Sequence, residues 1–225
     1  MKSAWRDQLH ELLGGLETVF ELIKSGGLLI WPILLCSIVA LAIICERFWT
    51  LRTHKIIPHQ LVPQVWHMYK ENQLDSSRIR VLRSNSPLGV VLAAGLVNRK
   101  YGRDIMKESL EEAGRQMVLE MERFVGTLGT IASITPLLGL LGTVVGMIKV
   151  FSVITAKGVG DPGVLAGGIS EALITTAVGL SVAIPSLMFY RYFQGRVEYL
   201  ALKMEEEALR LIDVIHGERE ENIRD

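Results

Sequence analysis

The chain has 225 residues, 49% of them hydrophobic and 21% charged, and its 24 basic residues balance its 24 acidic ones. That composition excludes a disordered chain, which needs low hydrophobicity and high net charge, and it offers no basic field for nucleic acid. Two cysteines, Cys36 and Cys45, make no disulfide framework; in one helix they stand roughly 13 Å apart along the axis, too far to bridge.

The apolar residues are not spread evenly, and their order along the chain sets out the expected elements. Residues 1–25 carry Trp5, Leu9, Leu12, Leu16, Phe20 and Ile23 at steps of three or four, an amphipathic helix suited to a membrane surface. Residues 26–45 hold no charge and are long enough, at roughly 30 Å of helix, to cross a bilayer core. The segment is not a cleavable signal, because an acidic amphipathic stretch precedes it instead of a basic one.

Residues 46–123 read as a helical loop. Ser86-Pro87 has the form of a helix start with proline at the first helical position. A second start falls near Asp104, followed by one stripe of Met106, Leu110, Ala113, Met117, Met121, Phe124 and Leu128. Residues 124–148 form a second uncharged span, 149–161 a short connection, and 162–190 a third span containing one charge, Glu171. In 191–225 the stripe Val197, Leu200, Met204, Ala208, Leu211 and Ile215 predicts that the third span runs on as a helical tail. The fold class expected is an all-α integral membrane protein with three transmembrane helices, the second and third long and extending into the cytoplasm.

Orientation follows from the positive-inside rule. Segment 46–123 carries 13 Lys/Arg and the tail six, against three in 1–25 and two in 149–161. The expected arrangement is an outside N-terminus, a cytoplasmic loop and a cytoplasmic C-terminus, supported by Arg47, Arg52 and Lys55 after the first span and by Arg191 and Arg196 after the third.

Glu171 is the most informative residue. A charge at membrane depth costs about 2.5–3.5 kcal/mol on insertion scales, and ionisable groups there usually serve function. A carboxyl able to be neutral or charged in a dry place is a candidate proton relay; the plainer alternative is a permanently neutral Glu in an interhelical hydrogen bond. Thr175 lies one turn on from Glu171, on the same face, whereas Thr176 points about 140° further round the helix. The second span adds the hydroxyls of Thr127, Thr130, Ser133, Thr135 and Thr143, each able to bond the carbonyl one turn back. Gly126, Gly129, Gly139, Gly142 and Gly146, with Gly167, Gly168, Ala172 and Gly179 in the third span, predict close helix packing. Three helices can hardly enclose a polar path alone, so a homo-oligomer is expected.

These residues resemble the MotA/TolQ/ExbB proton-channel family over nearly the whole layout of the chain, most like its ExbB members. ITPLLGLLGTVVGM (134–147) is similar to the family's S-P-x-x-G-L-x-G-T-V-x-G pattern, with Thr135 in place of Ser. GGISEALITTAVGLSVAIPS (167–186) is similar to its P-G-I-x-E-A-L-x-x-T-A-x-G-L-x-x-A-I-P pattern, with Gly167 where Pro is usual. The resemblance implies a proton pathway built from Glu171, Thr143 and Thr176, supported by Pro136, Gly142 and Gly146 with Thr175 as a neighbour. It implies a homopentamer in the bacterial inner membrane around a single-span ExbD-like or TolR-like partner, driving a TonB-like or TolA-like protein with the proton motive force. ExbB-like and TolQ-like assignments both stand at this point, as do protons and sodium.

No cofactor or metal is expected, and no enzyme. GVGD (158–161) is similar to the motif of intramembrane aspartyl proteases, but no span supplies a second aspartate. No His-Glu-x-x-His or Gly-x-Ser-x-Gly occurs, and His10, His54, His59, His67 and His216 are scattered outside the spans. A non-conducting membrane scaffold is the remaining alternative.

Overall fold

The computed structural model describes residues 27–58, 60–71, 73–158 and 162–215. The predicted amphipathic stretch 1–25, the start of the first apolar block, Asp161, His59 and the end of the tail from His216 lie outside the described residues. Among the described residues every regular element is helical. They are α1 (Ile30–Thr50), α2 (Thr53–Ile56), α3 (Leu61–Lys70), α4 (Ser76–Asn85), α5 (Pro87–Val97), a 3-10 turn (Arg99–Tyr101), α6 (Arg103–Glu122), α7 (Val125–Lys157) and α8 (Pro162–Ile215).

Three long apolar helical stretches meet the length and hydropathy needed to cross a membrane: Ile30–Thr50, Arg103–Ala156 and Pro162–Ile215. The chain is therefore an all-α integral membrane protein. Two helix bounds differ from the expected blocks. Helix α1 begins at Ile30 and runs to Thr50; Pro32 falls in its first turn, where a missing N–H costs nothing. Helix α7 runs to Lys157, so Lys149 belongs to a helix and not to the connection expected over 149–161. The turn itself comes at Gly158, at φ 70°.

The chain divides into two compact units. The first is made of the described residues of Met1–Ala42 and Thr127–Tyr190. Here α7 and α8 meet along a seam of small residues. A Cβ at Gly142 would stand 2.5 Å from Thr175 Cγ2, one at Gly146 2.8 Å from Ala172 Cβ, and one at Gly179 2.9 Å from the Thr135 carbonyl oxygen. Glycine at these places lets two membrane helices touch by backbone, which replaces the hydrophobic drive that lipid does not supply. The α7 hydroxyls bond their own helix: Ser133 Oγ donates to the Gly129 carbonyl, Thr135 Oγ1 to Ile131 and Thr143 Oγ1 to Leu140. Pro136 and Pro185 lie inside helices that continue past them.

The second unit comprises the described residues of Ile43–Gly126 and Arg191–Asp225. Its centre is α5, whose Leu88, Val91, Leu92, Ala93 and Leu96 are all buried. That is why α5 reads apolar on every side, with α4 and α6 packed against it. Ser86 caps it as expected: its Oγ accepts from the Gly89 N–H at 3.1 Å, and Pro87 takes the first helical position. Helix α6 starts one residue from the predicted Asp104, after Gly102 at φ 100°. Of the predicted stripe, Met106, Leu110, Ala113, Met117, Met121 and Leu128 are buried, while Phe124 is exposed and lies under the guanidinium groups of Arg47 and Arg123. The tail stripe is buried from Val197 through Leu211, with Ile212 added.

The two arginines that mark the ends of the first and third spans also tie this unit together. Arg47, only 4% exposed, donates from Nη1 to the Met121 carbonyl at the end of α6, at 2.9 Å. Arg196 donates from Nη2 to Thr53 Oγ1 at 2.7 Å and from Nε to the Leu51 carbonyl.

Candidate functional site

Glu171 stands in the third turn of α8, with its side chain 27% exposed. Its Oε1 accepts from Lys149 Nζ of α7 at 2.8 Å, a charge-assisted distance. Its backbone carbonyl accepts from Thr175 Oγ1 at 2.8 Å. The carboxylate also lies against Gly27, whose φ is 69°; a Cβ there would overlap Glu171 Oε1. Only a residue without a side chain suits both that backbone and that contact.

Thr175 and Thr176 divide the seam between them. Thr175 is 1% exposed and packs onto Gly142. Thr176 Oγ1 crosses to α7 and donates to the Gly139 carbonyl at 2.8 Å. Sequence spacing places Thr175 on the face of Glu171, and the structure agrees; it adds that Thr176 is the hydroxyl that joins the two helices. Thr143 is half-buried, one residue from Gly142 in the same layer, with its hydroxyl turned to Leu140 of its own helix. Gly142 and Gly146 form the α7 side of the seam, and Pro136 leaves the carbonyl one turn before it without a helical donor. Glu171, Thr175, Thr176, Gly142 and Gly146 thus come together along one helix pair, while the Thr143 hydroxyl makes no hydrogen bond to Glu171.

Two participants were not among the expected site residues. Lys149 terminates the uncharged run of the second span, so hydropathy assigns it to the connection; its helical position, six residues past Thr143, was the available signal. Gly27 carries no signal in the sequence beyond its place in the first apolar block. Among the described side chains of this unit, Lys149 and Glu171 are the two charged ones. No group of His, Cys, Asp and Glu able to hold a metal ion occurs among the described residues.

A model of the MotA/TolQ/ExbB proton channel family matches residues 83–206, from α4 through the seam and into the tail. The chain belongs to that family. Similar proteins include a putative biopolymer transport protein ExbB homolog of Methanothermobacter thermautotrophicus, 30% identical over 185 residues, covering 80% of this chain and 64% of that protein. A putative ExbB-like protein of Synechocystis is 35% identical over 170 residues, covering 74% of this chain and 67% of that protein. The Tol-Pal system protein TolQ of Haemophilus influenzae is 42% identical over 104 residues, covering 45% and 46% of the two chains. The chain thus spans slightly less than two thirds of the length of the Methanothermobacter relative. Family membership and the three apolar helices make it an inner-membrane protein of this proton channel family.

Proposed function

We propose that this chain is the proton-conducting subunit of an inner-membrane complex that uses the proton motive force to energise outer-membrane transport. The observation that carries the reading is Glu171: a carboxylate, with Lys149 as its partner, in a unit whose other described side chains are uncharged. Glu171 takes up a proton from the outer side and releases it inward. Thr143 and Thr176 offer hydroxyls beside the path, while Thr175, Pro136, Gly142 and Gly146 shape the helix pair that carries it. One proton crossing about 100 mV releases roughly 2.3 kcal/mol, so several protons per event suffice to move one protein against another.

The same reading includes a homo-oligomer, a pentamer, around an ExbD-like or TolR-like single-span partner. A TonB-like or TolA-like protein transmits the force. The N-terminus lies in the periplasm, the loop 46–123 and the tail in the cytoplasm, and the chain performs no catalysis. The segment boundaries follow: 1–25 outside, spans over 26–45, 124–148 and 162–190, with the charged connections between. Similarity to ExbB proteins along most of the chain favours the transport system. The stronger but shorter identity to a TolQ protein supports the second reading, a subunit driving a Tol-type envelope system.

Two measurements test this. Glu171→Gln in cells abolishes energy transfer to the outer membrane, with the complex still assembled; normal transfer overturns the reading and favours a scaffold. Native mass spectrometry of the gently extracted chain gives several copies plus a small single-span companion, whose sequence decides between the two systems. A chain that stays monomeric in mild detergents contradicts the oligomeric pathway.

A further inference from the structure

We propose that Lys149 is the resident counter-cation of Glu171, a positioning residue that pairs with the carboxylate and holds it in place on the helix pair until a proton arrives. This rests on Glu171 being the ion-carrying group.

Three elements frame the carboxylate. It is carried by α8, bonded by Lys149 of α7 at 2.8 Å, and seated against Gly27, which precedes α1. Lys149 does not arrive there by a flexible loop, because α7 remains helical to Lys157 and fixes the register of the lysine. The seam sets that register: Gly146 stands against Ala172 and Gly168 against Val150, which brings 149 and 171 side by side. The pair is 22 residues apart in sequence and is made by helix packing alone.

The other groups in reach do not compete for the role. The remaining titratable side chains described in this unit are Cys36 on α1 and Tyr190 on α8, and Tyr190 stands against Gly129. Ion pairs on a watery surface are worth little. By the membrane reading lipid borders this pair, where an unpaired carboxylate is costly and an attraction at this distance is less screened.

The chemistry follows from charge. With Glu171 ionised, the ammonium and carboxylate neutralise each other and the side chain is held. When a proton adds to a carboxylate oxygen the group becomes a neutral acid, Lys149 keeps its own proton and charge, and the pair weakens to an ordinary hydrogen bond. Proton uptake is thereby coupled to release of the side chain. Without Lys149 the Glu171 carboxylate loses its 2.8 Å partner and the opposite charge that neutralises it.

The test uses the full-length chain in its native membranes with its companions. A hydrophobic carbodiimide adds to a carboxyl: a carboxyl oxygen bonds to the central carbon and a carbodiimide nitrogen takes up a proton, so an oxygen held by the Lys149 ammonium is shielded from the reagent. The adduct on Glu171 is timed at neutral pH by peptide mass spectrometry. Lys149→Met, whose carboxyl is no longer held by an ammonium, modifies several-fold faster than the parent chain, and Lys149→Arg, which keeps a charged donor, stays within about twofold of it. Because Lys149 is 55% exposed, these variants are expected to fold; should Lys149→Met fail to accumulate, Lys149→Gln carries the same expectation. Equal rates in the parent chain and in the uncharged variant overturn the inference. Loss of Lys149→Arg to the fast rate overturns it too, since charge would not then be the cause. Proton flux through Glu171→Gln is a separate readout: flux retained there defeats the ion-carrier reading even if the labelling rates move as expected.

Discussion

Thr175 and Thr176 are adjacent in sequence and are used differently. Thr175 fills the seam over Gly142, while Thr176 spends its hydroxyl on the Gly139 carbonyl of the facing helix. Thr176→Val is expected to cost about 0.6–2 kcal/mol, the measured range for interhelical hydrogen bonds in membranes. Gly142→Val adds atoms where a Cβ already stands 2.5 Å from Thr175, and overpacking of that kind costs about 1–3 kcal/mol. Thermal unfolding of the purified variants in one detergent checks both, with Gly142→Val the larger loss. At this scale the sequence was informative where a residue type is unusual for its place. Glu171 is such a residue, and so are the closely spaced glycines. Lys149 gives no such signal, because a charge is the very mark by which an apolar block ends, and its partner lies on another helix.

The helices show a similar division. The starts at Ser86-Pro87 and near Asp104, the buried stripe from Met106 to Met121 and the long tail helix were legible, because caps and periodic apolar residues act over one or two turns. The end of α7 was not, since backbone geometry at Gly158 sets the turn beyond the last apolar run. Ser86→Ala removes the acceptor of the Gly89 N–H and is expected to cost about 1 kcal/mol, read as a lowered melting temperature. Arg47→Met leaves the Met121 carbonyl without its buried donor, which costs about 1–3 kcal/mol; Arg47→Lys restores part of it.

The tail offers a milder dependence on pH. The Lys203 ammonium, bonded to Glu206, holds that carboxyl below the usual carboxylate range, with Arg210 assisting. Because the folded value is the lower one, this support is present at neutral pH and is lost as pH falls through it. Helix content in the tail, followed by circular dichroism on acidification, is expected to decline only slightly, since the pair is exposed; Glu206→Gln removes that small dependence.

For the whole molecule the decisive fact is how little of the apolar surface one chain covers. The most hydropathic windows of its three spanning helices are only 22%, 22% and 28% buried. Leu35, Leu137, Leu140, Leu173 and Met188 all stand more than half exposed. Lipid is the natural cover for such a surface, and Lys149 and Glu171 are the charged pair among the described side chains of the membrane unit. The central claim is that protons cross this membrane through the Glu171 carboxylate. Its most direct measurement is proton uptake into liposomes holding the purified complex under an imposed potential, comparing the parent chain with Glu171→Gln at equal native mass. The account predicts uptake reduced to that of empty liposomes; uptake equal to that of the parent chain contradicts it.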